Sequence, residues 1–284
     1  MYSIVSWNLL AASLAREVET FEKFETRFKN IHDFLDELNP NGFDIICFAE
    51  LDETYPTEQS NEQVANLPLL IANTFPTHMW LPIYLPKPKP VAEGFPKHGN
   101  LVLLNKDSVQ LDGSFPLIFS TDDDAKMNQV AQILLVTVGL ERLILCFLHL
   151  KAGFGLNENT RQLQLFQITK TLKNLAFFSS NVIVLGDFNT PTAPQIMVDN
   201  GFQEIYEKFC QENITSEVPC RFSQANPPIK SHHAKDIAEK PKRLDYIYAT
   251  KKIIPTKMIN FNKSAIDYFN QKNLSDHFPL GFFF

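Results

Sequence analysis

The chain has 284 residues, a net charge of −6 and 44% apolar residues, 25 Phe among them. This composition supplies a large core and excludes a disordered or low-complexity chain. The acidic balance excludes extended nucleic-acid binding by bulk charge, which needs many Lys and Arg against phosphates.

Residues 2–7 read as a strand that ends at Asn8. The Leu9–Ala15 stretch looks like a secretory signal core, but no basic segment precedes it and cleavage there would discard Asn8. It is read as part of the working chain. From Ala15 to Leu38, Phe21, Phe24, Phe28, Ile31, Leu35 and Leu38 recur at helical spacing, which predicts an amphipathic helix packed on a sheet and closed by Asn39-Pro40-Asn41-Gly42. Asp44 to Ala49 is a second buried strand and ends at Glu50. If the two strands run parallel, Asn8 and Glu50 reach the same sheet edge.

Residues 60–75 are predicted helical around Pro68, and 78–84 extended. Leu85-Pro86-Lys87-Pro88-Lys89-Pro90 is a stiff, basic, proline-spaced stretch, expected as a surface connector; a rim supplying Lys87 or Lys89 to an anion is the alternative. Apolar runs at 100–105, 116–120, 128–138 and 142–149 follow without a helical period between them, which predicts an antiparallel meander ending at His149. Residues 157–177 return to helical period through Leu165, Ile168, Leu172 and Leu175.

The run Val182–Leu185 then stops at Gly186 and presents Asp187 and Asn189 around Phe188, followed by Thr-Pro. A short β-branched run closed by Gly reads as a buried strand opening into a loop, the place where open α/β sheets bind ligands. Alternation along extended chain points Asp187 and Asn189 one way and Phe188 into the core. A turn using Asp and Asn for local hydrogen bonds is the plainer reading. A short helix and a Phe202–Ile205 segment follow, and 209–240 reads as a polar surface loop in which His232-His233 is solvated. Leu244–Tyr248 is a further strand, and Ser275-Asp276-His277 leads into a Phe-rich terminal strand.

No linker splits the chain, so one domain over 1–284 is expected. The four cysteines, Cys47, Cys146, Cys210 and Cys220, lack metal-ligand or disulfide spacing, which points to a reducing compartment. No apolar run reaches the ~18 residues of a membrane span. A cytoplasmic protein without stable membrane association is expected; export by another route leaves no mark in a sequence.

Polar residues thus stand at strand ends throughout: Asn8, Glu50, His149, Asp187 with Asn189, and Asp245 with Asp276-His277. Hard cations such as Mg²⁺ take a few oxygen ligands, a role that suits Glu50, Asp276 and the carbonyl of Asn8. Asp245 orienting His277 suits proton transfer or contact to a phosphoryl oxygen. Asp187 suits positioning or deprotonating water, and Asn189 and His149 suit hydrogen bonds to charge developing on phosphorus. Each residue alone is more often structural. Together they fit metal-assisted, in-line hydrolysis of a phosphoester.

Ser6-Trp7-Asn8, Phe48-Ala49-Glu50, Leu148-His149-Leu150, Gly186-Asp187-Phe188-Asn189, Leu244-Asp245-Tyr246 and Ser275-Asp276-His277 occur in the order seen in the endonuclease/exonuclease/phosphatase superfamily, the fold of DNase I. The chain resembles that superfamily over residues 3–284. The resemblance implies a four-layer α/β sandwich, two mixed β-sheets packed face to face with helices outside. It also implies Glu50 as principal Mg²⁺ ligand, with Mn²⁺ as substitute. Trp7-Asn8-Leu9-Leu10-Ala11, Asn128-Gln129-Val130-Ala131-Gln132, His149-Leu150-Lys151-Ala152 and the spacing of Glu158, Arg161 and Gln164 are similar to the nocturnin and deadenylase branch. From that branch come implied substrate contacts at Lys151, Arg161 and Asn128. The chain departs from it at Ala49, where Gln is usual, at Gly153, where a basic residue is usual, and at Lys97-His98-Gly99.

The expected function is therefore Mg²⁺-dependent phosphoester hydrolysis on a nucleotide, either the 2′-phosphate of NADP(H) or the 3′ end of poly(A) RNA. The acidic chain favours the smaller substrate. A phosphoinositide or sphingomyelin head group is the alternative, disfavoured because no basic amphipathic helix is evident. An inactive binding module on the same scaffold is a third reading, opposed by the full set of polar strand-end residues. A DNA-repair endonuclease is poorly served by the charge.

Overall fold

Two six-stranded sheets lie face to face, and the layer between them determines where the chemistry can be. The computed structural model describes residues 1–11, 23–56, 64–90, 93, 95–119, 128–153, 157–190, 192–212, 243–259, 263–272 and 274–284. The first sheet contains β1 (Ser3–Asn8), β2 (Ile45–Asp52), β5 (Trp80–Pro86), β6 (His98–Asn105), β13 (Lys257–Met258) and β14 (Leu280–Phe283), in the order β13-β14-β1-β2-β6-β5. The second contains β7 (Val109–Ile118), β8 (Val130–Val138), β9 (Glu141–His149), β10 (Val182–Asp187), β11 (Phe202–Glu204) and β12 (Asp245–Thr250), in the order β11-β12-β10-β9-β8-β7. A separate hairpin pairs β3 (Thr54–Pro56) with β4 (Val64–Asn66).

Both sheets are built on the same scheme. A central parallel pair, β1 with β2 and β9 with β10, is flanked by antiparallel strands. The strands of each parallel pair are joined by a helix, as a parallel connection requires. These are α1 (Phe24–Leu38) and α3 (Asn157–Asn174). The helical stripe of α1 buries Phe24, Phe28, Ile31, Phe34 and Leu35 against Val5, Trp7, Phe48, Leu101 and Leu103 on the outer face of the first sheet. Helix α2 (Leu67–Thr74) and α6 (Lys263–Lys272) lie on the same side. On the second sheet α3 buries Leu165, Ile168 and Leu172, and α4 (Gln195–Asp199) buries Met197, against Ile144, Cys146, Val184 and Tyr248. A further helix, α5 (Ile205–Glu212), follows β11 directly. The result is the expected four-layer sandwich: helices, sheet, sheet, helices.

Several local expectations are corrected. Residues 64–66 are strand rather than helix, and α2 begins at Leu67 with Pro68 in its first turn, where a missing N–H costs nothing. The meander is split: β7, β8 and β9 form it, whereas β6 pairs with β2 in the other sheet. The proline-spaced stretch is not simply a surface connector, because β5 extends through Pro86 opposite Gly99 and Lys87 is only 4% exposed. Residues 209–212 belong to α5, not to a loop. Helix α6 and β13 are elements that the sequence pattern does not announce. Residues 15–22, Cys220, and His232-His233 lie outside the described residues. No helix among the described residues is long and apolar enough to cross a membrane.

Candidate functional site

Side chains alternate across a strand, so every second residue of both sheets faces the inter-sheet layer. Followed along six strands, that face changes from apolar to polar in one direction. β1 runs Ile4, Ser6, Asn8; β9 runs Leu145, Phe147, His149; β10 runs Ile183, Leu185, Asp187. The antiparallel strands reach the same end from their starts: β6 with His98 and Asn100 before Val102, β8 with Gln132 before Leu134, β12 with Asp245 before Ile247. All of these polar residues are buried. β1 packs across from β10 at the centre of the layer, so the two parallel pairs bring their C-terminal residues to one place.

From the first sheet, the parallel register sets Asn8 beside Ala49, one residue before Glu50. Pairing of β2 with β6 shifts between Phe48 and Leu51, and Glu50 sits in this bulge with φ of 61°. Left-handed backbone is uncommon away from glycine, and here it aims a carboxylate out of the pleat. The Asn8 amide Nδ2 donates to Glu50 Oε1 at 3.2 Å and, across the sheets, to Asp187 Oδ2 at 3.0 Å. Asn8 Oδ1 accepts from Leu10 N at 3.1 Å, and Ala11 N donates to Glu50 Oε2 at 3.4 Å. The Asn8 carbonyl accepts from Ser275 Oγ at 2.6 Å, and the same hydroxyl accepts from His277 N at 3.1 Å, so one serine ties the last motif to the first strand.

From the second sheet come Asp187 and Asn189. Gly186 precedes them because a Cβ there would lie 2.0 Å from the Leu148 carbonyl oxygen, and its φ of 134° suits glycine. Phe188 is fully buried, but Asn189 departs from simple alternation: its φ is 53°. Its N–H donates to Asp187 Oδ1 at 2.7 Å and its Nδ2 to the Leu150 carbonyl at 3.1 Å. The local Asp–Asn turn is therefore present, and it leaves Asp187 Oδ2 directed into the layer. His149 Nε2 lies 3.4 Å from Glu50 Oε1 and 3.7 Å from Asp187 Oδ2. His277 Nδ1 donates to Asp245 Oδ2 at 2.7 Å, which turns Nε2 to within 4.0 Å of Asp187 Oδ2.

This geometry divides the two histidines. Burial works to lower the pKa of His277, but Asp245, Asp276 and Asp187 outweigh it and push the ring well above the usual value. Burial pulls His149 well below its usual value, reinforced by Lys87, His98 and His277. Near neutrality one ring is an imidazolium and the other a neutral imidazole, an arrangement suited to acid–base division. Asp187 is raised by burial and then by Asp245, against the opposing effect of His277, the Asn189 N–H and the Asn8 amide.

The structure thus brings Asn8, Glu50, His149, Asp187, Asp245 and His277 together, with Asn189 beside them. Asp276 is half-buried next to Ser275, whose hydroxyl is 3.4 Å from its Oδ1. The residues expected at substrate fall differently. Arg161 is buried in α3, where it donates to the carbonyls of Lys151 at 2.8 Å and Gly153 at 2.7 Å and pairs with Glu158 at 2.7 Å. It holds the loop that carries Lys151. Asn128 exchanges hydrogen bonds with the Lys89 backbone at 2.8 and 2.7 Å, and so fastens the loop that follows Lys87.

Sequence reasoning passed over His98 and undervalued Lys87. Lys87 Nζ is 2.5 Å from His98 Nε2, and among the described residues it has no carboxylate within ion-pair distance. Burial brings its pKa down to about 8, with Glu50 and Asp187 opposing. Burial, then Lys87, lowers His98 to about 3, so the ring is a neutral acceptor. The available signal was the parity of His98 and Asn100 with the buried Val102 and Leu104.

The donor set fits a cation. Asp187, Asp245 and His277 each present an atom within 4.8 Å of the others. His277 and Asp245 are held to one another, and the carboxylate of Glu50 reaches the same place through its shared donor, the Asn8 amide. Both His149 ring nitrogens are buried without hydrogen-bond partners, and Nε2 faces Glu50 and Asp187. Carboxylate and amide oxygens of this kind are the ligands of hard divalent ions.

A family model described as the endonuclease/exonuclease/phosphatase family matches residues 5–277. No curated protein matches the chain by sequence. Among solved structures, the human nocturnin catalytic domain with bound sulfate anion is similar with a TM-score of 0.70 at 20% identity, covering 99% of this chain and 93% of that one. An endonuclease/exonuclease/phosphatase from Bacteroides vulgatus is similar with a TM-score of 0.66 at 12% identity, covering 99% and 97%. D. rerio TDP2 complexed with single strand DNA product is similar with a TM-score of 0.58 at 17% identity, again covering 99% and 97%.

Proposed function

The chain belongs to the endonuclease/exonuclease/phosphatase family, and from that premise we propose that it is a divalent-metal-dependent hydrolase of phosphoesters on a nucleotide. The observation that carries this reading is the Asn8 amide, which bridges Glu50 and Asp187 across the two sheets and so joins a cation-binding carboxylate to a base-like one.

Glu50 and Asp276, with the side-chain oxygen Oδ1 of Asn8 and Asp187 alongside, would hold Mg²⁺ or Mn²⁺. The ion supplies Lewis acidity toward a phosphoryl oxygen. Asp187, raised toward neutrality by burial and Asp245, orients water and takes its proton. His277, charged and fixed by Asp245, donates from Nε2 to a phosphoryl oxygen. Neutral His149 and the second amide hydrogen of Asn189 add donors to the charge developing on phosphorus. Lys87, a buried cation with no ion-pair partner among the described residues, faces the anionic end of the substrate, with Lys151 nearby. Asn128 and Arg161 act one step back, holding the loops that carry these lysines. One buried lysine, Lys87, with the half-buried Lys151 near it, and an acidic chain elsewhere suit a compact anion such as NADP(H) better than a long polymer.

The test is product release from NADP⁺ and from a short oligo(A), with Mg²⁺ and with EDTA, Glu50→Ala serving as control. Metal-dependent phosphate from NADP⁺, lost in the variant, is the expected result. AMP from oligo(A) alone moves the substrate to RNA. Silence on both with metal bound moves it to a lipid or inositol phosphate. Silence without metal binding overturns the hydrolase reading.

A further inference from the structure

A charged residue sits where the helical period of α1 calls for an apolar one. Arg27 falls on the stripe that buries Phe24, Phe28 and Ile31, and it has no exposed surface. Its guanidinium lies 5.2 Å from the centre of the Phe24 ring. Nη1 donates to the Leu9 carbonyl at 2.9 Å and Nη2 to the Leu10 carbonyl at 2.6 Å. These are the two residues directly after β1. Leu10 has φ of 56°, a left-handed conformation that a branched side chain does not choose unaided.

The consequence of that turn is visible in the next two amides. Leu10 N points at Asn8 Oδ1 and Ala11 N at Glu50 Oε2, at 3.1 and 3.4 Å. A planar fork gripping successive carbonyls therefore fixes the peptide units whose N–H groups orient Asn8 and Glu50. The guanidinium is also close enough to Asp276, Asp52 and Glu50 for their charges to act on it, so it offsets part of the repulsion among them. Lys cannot substitute, since an ammonium lacks the rigid pair of parallel donors.

We propose that Arg27 is a positioning residue of the cation-binding end of the site: by locking the Leu9–Leu10 turn it sets the orientation of Asn8 and Glu50 before metal or substrate binds. The effect on turnover rests on the hydrolase reading above; the effect on the turn does not.

The experiment compares wild type, Arg27→Lys and Arg27→Ala by three readouts. These are amide hydrogen exchange at Leu10 and Ala11 by NMR, Mn²⁺ binding by calorimetry, and steady-state hydrolysis of bis(p-nitrophenyl) phosphate. In both variants the two amides are expected to exchange at least about tenfold faster. Mn²⁺ affinity and kcat are expected to fall about 10–100-fold, the range for residues that orient ligands, with KM within about twofold. Methylguanidinium is expected to restore kcat in Arg27→Ala and not in Arg27→Lys, a rescue that a purely structural role would not give. Should Arg27→Ala fail to fold, Arg27→Lys carries the test. Wild-type exchange at Leu10 and Ala11, or wild-type Mn²⁺ affinity and kcat in Arg27→Lys, overturns the proposal. If wild type itself neither binds Mn²⁺ nor turns over, the hydrolase reading fails and the exchange data alone decide the role of Arg27.

Discussion

The two ends of the inter-sheet layer are built from the same strands and the same side-chain parity, yet they obey opposite energetics. At one end Ile4, Leu104, Val136, Leu145, Ile183 and Ala249 meet; a few residues along the same strands stand Asn8, His98, Gln132, His149, Asp187 and Asp245. Burial stabilises the first group by roughly 1.5–3 kcal/mol for each large side chain. For the second group burial is a cost, met only partly by hydrogen bonds. The non-glycine residues with left-handed backbone among the described residues, Leu10, Glu50 and Asn189, all lie at the polar end. Strain of this kind costs about 1–3 kcal/mol per residue and persists where the surroundings enforce it. The apolar end and the outer helices therefore hold a polar end that would not hold itself.

The largest test of this contrast is Asp187→Asn. Burial and Asp245 raise the carboxyl of Asp187 above its usual range, so stability is full while the acid is protonated and is lost as pH rises through the carboxylate range toward the folded value. At pH 8 in EDTA the charged form is a net burden, and the isosteric amide removes it. We expect the melting temperature to rise by a few degrees while kcat/KM falls by roughly 10³-fold, a trade of stability against activity. Calorimetry and kinetics on the same preparation check both; a lower melting temperature would mean that the polar end is self-supporting.

Two residues earlier on the neighbouring strand, Phe147→Ala makes the opposite trade. Phe147 is fully buried between the sheets, so its truncation is expected to cost about 3–5 kcal/mol in urea unfolding. Below the unfolding transition, KM should stay within about threefold of wild type. A KM change well beyond that would join the two ends functionally and erase the distinction.

What was legible in the sequence follows the same division. The strands that end in Asn8, Glu50, His149 and Asp187 announce themselves because an apolar run stops at a polar residue, and a local pattern suffices to see it. α1 and α3 are equally plain in their helical period. Pairing between distant strands is not local, which is why apolar runs alone group β6 with its sequence neighbours although it pairs with β2. Lys87 reads as loop because prolines flank it, and only the pairing of β5 with β6 reveals its burial. Arg27 escapes notice because a periodicity count registers apolar positions and skips the one position where a cation replaces them. Meeting partners such as Asn8 and Asp187, from different sheets, depend on which strands face each other, and no motif spacing encodes that.

The smallest expected effect concerns pH, and it separates the ends by stability alone. His98 is buried at the polar end and accepts from Lys87, and burial followed by Lys87 lowers it to about 3 from a usual value of 6.5. A histidine depressed in the fold contributes stability that is complete above 6.5 and is lost as pH falls toward 3, because only the unfolded chain takes up the proton in that window. By pH 5 this amounts to about 2 kcal/mol, at roughly 1.4 kcal/mol per pH unit. His98→Asn cannot titrate, so its stability relative to wild type is expected to climb by that amount between pH 7.5 and pH 5, whatever its offset at pH 7.5. Leu134→Ala, in the apolar part of the same layer, should lose stability by a constant amount across the same range. Urea unfolding of the three proteins at both pH values reads the difference directly. Parallel curves for His98→Asn and wild type would place the proton on His98 in the folded chain, and Lys87 would then need a partner other than this ring.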